Sequence, residues 1–140
     1  MEIFYLQFII MIINTPEEMF KLGQELSKKY KILLLFGDLW AWKTLLTKWF
    51  ANWLWIDENV VQSPTYAYIN SYGWKLLHVD MYRIWEENDV WEKWINDQIS
   101  KHEYIAIEWP KFIDSLDISH YAKITIEKDW DIRNVEIVEN

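Results

Sequence analysis

The sequence predicts an α/β fold: a mixed central sheet with helices on its faces and an antiparallel hairpin at the C-terminal end. Three observations carry that expectation. Lys31-Ile32-Leu33-Leu34-Leu35-Phe36 is a continuous apolar run, the pattern of a central strand buried on both faces, and it stops at Gly37 just ahead of a helical stretch. Strand-like and helix-like segments alternate along the chain, as they do when helices cover a sheet. Near the end, 123–128 and 134–138 flank Asp129-Trp130-Asp131, two strand-like segments around a tight turn. With 140 residues, no linker and no internal repeat, residues 1–140 read as a single domain.

The elements follow in order. Residues 1–13 are strongly apolar, too short to span a bilayer, and begin with Glu2 rather than a basic region, so they read neither as a membrane span nor as a signal peptide. Two readings stand: a first strand that begins early, or an extension of residues 1–10 ahead of a start at Met11. Thr15-Pro16-Glu17-Glu18 opens a helix, with Thr as cap, Pro in the first turn and acids against the dipole. Met19, Leu22 and Leu26 follow at helical spacing, and Lys28 and Lys29 close it. After the strand at 31–36, a second helix runs from about Lys43 to Leu54. Residues 65–71 alternate and are rich in β-formers. Tyr72-Gly73-Trp74-Lys75 makes a turn into a strand at 76–80. Residues 86–100 are polar and helical, and 103–108 form another buried strand.

Composition narrows the function. Fourteen basic residues against 22 acidic give a net charge of −8. Neutralisation of phosphates dominates affinity for nucleic acid, so a chain this acidic does not hold tRNA or DNA by itself, and such a role would run through a partner. The absence of cysteine excludes disulfides and thiolate metal sites and fits a reducing cytoplasm.

Four clusters carry chemistry. Gly37-Asp38-Leu39-Trp40-Ala41-Trp42-Lys43-Thr44 aligns with the phosphate-loop pattern G-x-x-x-x-G-K-[ST] at Gly37, Lys43 and Thr44, with Trp42 in place of the second glycine. In such a loop backbone N–H groups and a helix N-terminus cradle phosphates, the lysine reaches the β- and γ-phosphates, and the hydroxyl ligates Mg²⁺. Glycine serves there because the backbone must approach the anion closely, often at positive φ. A tryptophan at 42 is expected to put its indole into or beside the phosphate site. The plain alternative is a chance Lys-Thr at a helix start. His78-Val79-Asp80-Met81-Tyr82-Arg83 ends an apolar strand, and a carboxylate at such a tip is placed to hold Mg²⁺. Read alone, Asp80 is as readily a turn residue, and His78 reads as packed strand rather than ligand. Ser63-Pro64-Thr65-Tyr66 offers a hydroxyl in a loop before a strand, as switch threonines do; alone it is a proline turn. Ile107-Glu108-Trp109-Pro110 ends another strand, where Glu108 can orient or deprotonate a water and Trp109 can stack or simply pack. Polar groups at several strand C-termini define the edge where open α/β sheets bind ligands.

The order Gly-Asp-Leu-x-Ala-x-Lys-Thr, Ser-Pro-Thr-Tyr, His-x-Asp-x-Tyr-Arg and Ile-Glu-Trp-Pro, spread over roughly residues 12–138, resembles the TsaE family of bacterial tRNA threonylcarbamoyladenosine biosynthesis ATPases. The resemblance implies a P-loop NTPase-like domain that binds ATP and Mg²⁺ in the cytoplasm. Its implied partners are the two other proteins of the threonylcarbamoyl-transfer complex, which modifies adenosine 37 of tRNA. It implies tRNA contact through the complex and ATP turnover that supports the complex rather than the transfer itself. It implies that Gly37, Asp38, Leu39, Trp40, Ala41, Trp42, Lys43, Thr44 and Leu45 surround the nucleotide with Trp109 beside it. Lys43 then lies on the phosphates, Thr44, Asp80 and Glu108 on the Mg²⁺ side, Thr65 at the switch, and Glu108 serves as catalytic acid or base.

The departures from the family pattern form a pattern of their own. The chain has 11 Trp and 3 Gly, where ordinary usage of about 7% predicts about 10 glycines. The family's loop reads Gly-Asp-Leu-Gly-Ala-Gly-Lys-Thr, with glycine where Trp40 and Trp42 stand. Trp49, Trp53, Trp55, Trp74, Trp85, Trp91, Trp94 and Trp130 also fall where glycine would be ordinary; Trp109 is the tryptophan the family expects. The expectation is that the source reads UGA as glycine and that UGA has been rendered as tryptophan. Three competing readings remain at this stage: a pseudo-ATPase with genuine tryptophans, acting only as an interaction subunit; a small-molecule P-loop kinase, for which the chain has no arginine-rich lid segment; and an aromatic binding module, whose tryptophans would alternate along one strand face.

Overall fold

The computed structural model describes residues 8–38, 42–57, 59–62 and 68–140. In chain order its elements are β1 (Phe8–Ile13), α1 (Pro16–Lys29), β2 (Ile32–Gly37), α2 (Lys43–Asn52), β3 (Ile69–Tyr72), β4 (Leu76–Asp80), α3 (Asp89–Ser100), β5 (Tyr104–Glu108), a 3₁₀ turn at Ile113–Ser115, β6 (Tyr121–Asp129) and β7 (Ile132–Glu139). The strands form one mixed sheet in the order β1-β7-β6-β2-β5-β4-β3. β2 runs parallel to both β5 and β6, and β4 runs parallel to β5. The flanking pairs β3–β4, β6–β7 and β1–β7 are antiparallel.

The apolar run of the sequence becomes the middle of the sheet. Leu33, Leu34 and Leu35 are all 0% exposed. Side chains alternate across a strand, so Leu33 and Leu35 join the core under α1 and α2, with Leu22, Leu26, Leu46 and Phe50, while Leu34 joins the opposite core with Ile95 and Ile99 of α3. Helices therefore cover both faces, as expected.

Local chemistry sets the helix ends. Thr15 Oγ1 accepts from the N–H of Glu18 at 3.2 Å, and Glu18 Oε2 accepts from the N–H of Asn14 at 2.7 Å. This reciprocal cap fixes the start of α1 where the sequence placed it. α3 begins at Asp89, later than the expected 86, because the Asn88 side chain accepts from the N–H of Trp91 at 2.8 Å and so caps the helix there. α1 and α2 pack closely at Gly23, where an added Cβ would lie 2.7 Å from the Cβ of Trp49. The Trp49 indole N–H is buried there with no partner among the described residues.

β1 is an edge strand rather than a core one. Ile13 is buried, whereas Phe8, Ile9, Ile10 and Ile12 are exposed. The expected hairpins are both present. The terminal one is longer than the sequence pattern suggested, with Asp129 paired to Ile132 across the two-residue turn Trp130-Asp131. No helix among the described residues is long and apolar enough to cross a membrane.

Candidate functional site

Three neighbouring parallel strands end side by side. β2 ends at Gly37, β5 at Glu108 and β4 at Asp80, with Glu108 in register with Leu35 on one side and Asp80 on the other. Alternation puts Ala106 and Glu108 of β5, and Leu76, His78 and Asp80 of β4, on the face that carries α2. One strand edge and one helix start thus gather the polar residues of three sequence clusters, the place where open parallel sheets hold ligands.

Trp42 is the N-cap of α2, at φ 69° and ψ 25°, with no side-chain hydrogen bond to cap the helix. The left-handed conformation that a phosphate loop asks of glycine is therefore present at this position. It costs an L side chain about 1–2 kcal/mol. The Trp42 indole turns toward the sheet and the end of β7. It packs against the core, and the Arg133 guanidinium of β7 sits 3.8 Å above its ring centroid. The reason is topological: beyond Gly37, β6 and β7 run on past the tip of β2, so Arg133 stands beside the end of the loop.

Lys43 is only 4% exposed. Its ammonium donates to the carbonyls of Gly37 at 2.5 Å and Asp38 at 2.6 Å, and lies 4.5 Å from the centroid of the Trp109 ring. Burial pushes its pKa below the usual lysine value, while Glu108, Asp80 and Asp38 pull it back up. Next to it the Thr44 hydroxyl donates to Glu108 Oε1 at 3.0 Å. Glu108 is buried and takes a second donor, His78 Nε2, at 2.6 Å on Oε2. Asp80 Oδ1 accepts from the N–H of Tyr82 at 2.8 Å. The Tyr82 and Trp109 rings pack at 4.9 Å, so the mouth of the site has an aromatic wall. Trp109 itself is at φ 54°.

Of the residues singled out in the sequence, Gly37, Asp38, Trp42, Lys43, Thr44, Asp80, Glu108 and Trp109 fall at this strand edge. Leu45 is on α2 and packs against the core. Leu39, Trp40, Ala41 and Thr65 lie outside the described residues. Two residues that sequence reasoning did not promote belong here: Arg133, over Trp42, and His78, on Glu108. The signal for His78 was its position two residues before Asp80, which sets both on one face of β4.

The donor set suits a hard cation. The Thr44 hydroxyl and the Asp80 and Glu108 carboxylates offer oxygen ligands beside the loop, and no three His, Cys, Asp or Glu side chains among the described residues form a cage. Mg²⁺ is commonly held that way, by one or two carboxylates together with substrate phosphates rather than by an all-protein cage.

A core of four parallel strands, a glycine-ended strand leading into a helix that begins Lys-Thr, and acidic tips on the next two strands, β5 and β4, give an α/β fold of the P-loop-like class. Within that class the chain belongs to the TsaE family: the family model described as threonylcarbamoyl adenosine biosynthesis protein TsaE matches residues 13–135. Relatives named tRNA threonylcarbamoyladenosine biosynthesis protein TsaE include that of Bacillus subtilis, 31% identical over 84% of this chain and 76% of its own length. Those of Rickettsia felis (27%, covering 84% and 72%) and Haemophilus influenzae (30%, covering 80% and 72%) are also similar. The crystal structure of Bacillus subtilis YdiB superposes with a TM-score of 0.75, covering 97% of this chain and 88% of that one at 22% identity.

Proposed function

We propose that the protein binds ATP with Mg²⁺ at the edge formed by Gly37, Lys43, Thr44, Asp80 and Glu108 and hydrolyses it, supporting turnover of the assembly that makes threonylcarbamoyladenosine at position 37 of tRNA. The observation that carries this reading is the convergence of Lys43, Thr44 and Glu108 behind the tip of β2, each in contact with a group that a bound nucleotide would replace or use. Lys43 would leave the Gly37 and Asp38 carbonyls for the phosphates. Thr44, Asp80 and Glu108 would hold Mg²⁺, which supplies charge neutralisation at the phosphates when bound. Glu108 is the residue placed to orient or deprotonate an attacking water. Trp109, with Tyr82, would close the site beside the nucleotide, and Thr65 is assigned to the switch by resemblance alone. The net charge of −8 supports tRNA contact through the two other proteins of the complex, in the cytoplasm, rather than directly.

Trp42 favours a second reading. A genuine tryptophan at a position that adopts φ 69° gives a pseudo-ATPase that acts only as an interaction subunit. Calorimetric titration with ATP and Mg²⁺ separates the two. It should be run on the chain with tryptophan at 40 and 42 and on the Trp40→Gly/Trp42→Gly variant. Binding and phosphate release by the glycine form, abolished by Lys43→Ala, support the ATPase. A glycine form that is folded but does not bind ATP rules it out.

A further inference from the structure

We propose that His78 is a positioning residue for Glu108, its imidazole holding one carboxylate oxygen so that the other faces Thr44 and the mouth of the phosphate loop. The inference rests on the ATPase reading for its effect on turnover, but its geometry stands independently. His78 lies on β4 between Leu77 and Val79 and is 0% exposed. An imidazole in such a place costs free energy unless its polar atoms are paired, and an aliphatic side chain would fill the same space without that cost. Among the described residues the ring has one polar contact: Nε2 lies 2.6 Å from Glu108 Oε2, while the buried Nδ1 has no partner among them. A carboxylate oxygen accepts, so Nε2–H is the donor of this bond.

The register explains how the pair meets. His78 stands opposite Ala106, whose small side chain leaves the ring room to lean along β5 to Glu108, two residues on and on the same face. Glu108 is 3% exposed; among the described residues its side-chain donors are His78, on Oε2, and Thr44, nearer Oε1 at 3.0 Å than Oε2 at 3.3 Å. If Thr44 turns to Mg²⁺ and phosphate, His78 is the donor that keeps the carboxylate in place. A charge-assisted bond at this distance holds orientation better than a neutral one.

Two measurements on the full-length protein test this, using whichever form, tryptophan or glycine at 40 and 42, hydrolyses ATP. By proton NMR, the His78 Nε2 proton is expected far downfield and slow to exchange, absent in His78→Gln and displaced in Glu108→Gln; a fast-exchanging His78 proton overturns the fixing of Glu108. In steady-state kinetics, His78→Leu is expected to lower kcat about a hundredfold, the scale of a misplacement of about 1 Å, with KM for ATP nearly unchanged. His78→Gln, whose amide places a donor near the Nε2 position, is expected to recover most of that loss. Wild-type kcat in a folded His78→Leu protein overturns the proposal, as does failure of His78→Gln to recover activity when it is as stable as the wild type. If no form hydrolyses ATP, the ATPase reading and any role of His78 in turnover fall together, while the imidazole resonance still decides whether His78 fixes Glu108.

Discussion

Lys43 is held by two carbonyls that, on the ATPase reading proposed above, it would leave for phosphate. Its ammonium is buried, bonded to Gly37 and Asp38 and covered by the Trp109 ring. Binding a triphosphate would then exchange two neutral acceptors for charged ones, an exchange that favours the ligand. Glu108 is in the complementary position, a buried carboxylate with Thr44 and His78 as donors. Glu108→Gln removes the charge and turns one acceptor into a donor that faces His78 Nε2–H or Thr44. The expected outcome is a kcat lower by about 10²–10⁴, the usual worth of a positioned general base, with ATP binding retained. Phosphate-release kinetics alongside calorimetry checks it, and loss of binding without loss of kcat would place Glu108 outside the chemistry. Much of this site is legible in the sequence, because Gly37, Lys43 and Thr44 share one local motif and Asp80 and Glu108 end apolar runs. His78 and Arg133 are not legible as site residues. Their roles come from pairings between strands: His78 and Glu108 are 30 residues apart, and a single sequence does not carry that register.

At the scale of elements, the ends are set by side chains that can be removed one at a time. Thr15→Ala takes the acceptor from the N–H of Glu18 at the start of α1 and is expected to cost about 1 kcal/mol in urea unfolding. The other end of the same helix is tied to the sheet. Tyr30, the C-cap, donates its hydroxyl to Glu139 Oε2 of β7 at 2.9 Å. Burial is the main cause that pushes the Tyr30 hydroxyl above its usual pKa of 10.0, and the Glu139 carboxylate adds to it, against the opposing effect of Lys29. The folded state then holds a proton that the unfolded chain gives up. Stability from this group is complete below pH 10.0 and is lost as pH rises through the folded value. Tyr30→Phe should therefore cost about 1 kcal/mol near neutrality and make the alkaline loss of stability shallower, read by denaturant unfolding across that range. The cap of α1 and the central strand are written locally and were legible, whereas the Asn88 cap that starts α3 was not. The exposed position of β1 was not, because an apolar strand reads the same whether it lies at the centre of a sheet or at its edge.

Across the whole molecule, the tryptophans do not behave as tryptophans usually do. A large apolar ring normally gains stability by burial, yet Trp55, Trp130, Trp85 and Trp74 are 97%, 89%, 79% and 68% exposed. Trp42, Trp55 and Trp130 take φ of 69°, 65° and 53°, the left-handed region in which glycine is unstrained. Trp130 is the first residue of a two-residue hairpin turn, a position where glycine is preferred. Trp109 shares the positive φ but differs in having a role, packed on Tyr82 and over Lys43. Glycine in the cellular protein would relieve the exposed rings and the left-handed backbones at 42, 55 and 130 together, although Tyr68, Phe112 and His120 take the same φ region with their own side chains. The expected result is UGA at codons 40, 42, 49, 53, 55, 74, 85, 91, 94 and 130 with UGG at 109, and glycine masses at those positions in peptides of the native protein. UGG at the ten codons would end the idea. A physical check is independent of the gene. Trp55→Gly and Trp130→Gly remove rings that pack on little and relieve a left-handed L residue, so each should raise the unfolding free energy by about 1 kcal/mol. Trp42→Gly is the informative exception: it also gives up the contacts with the core and with Arg133, so its gain should appear in ATP affinity rather than in stability.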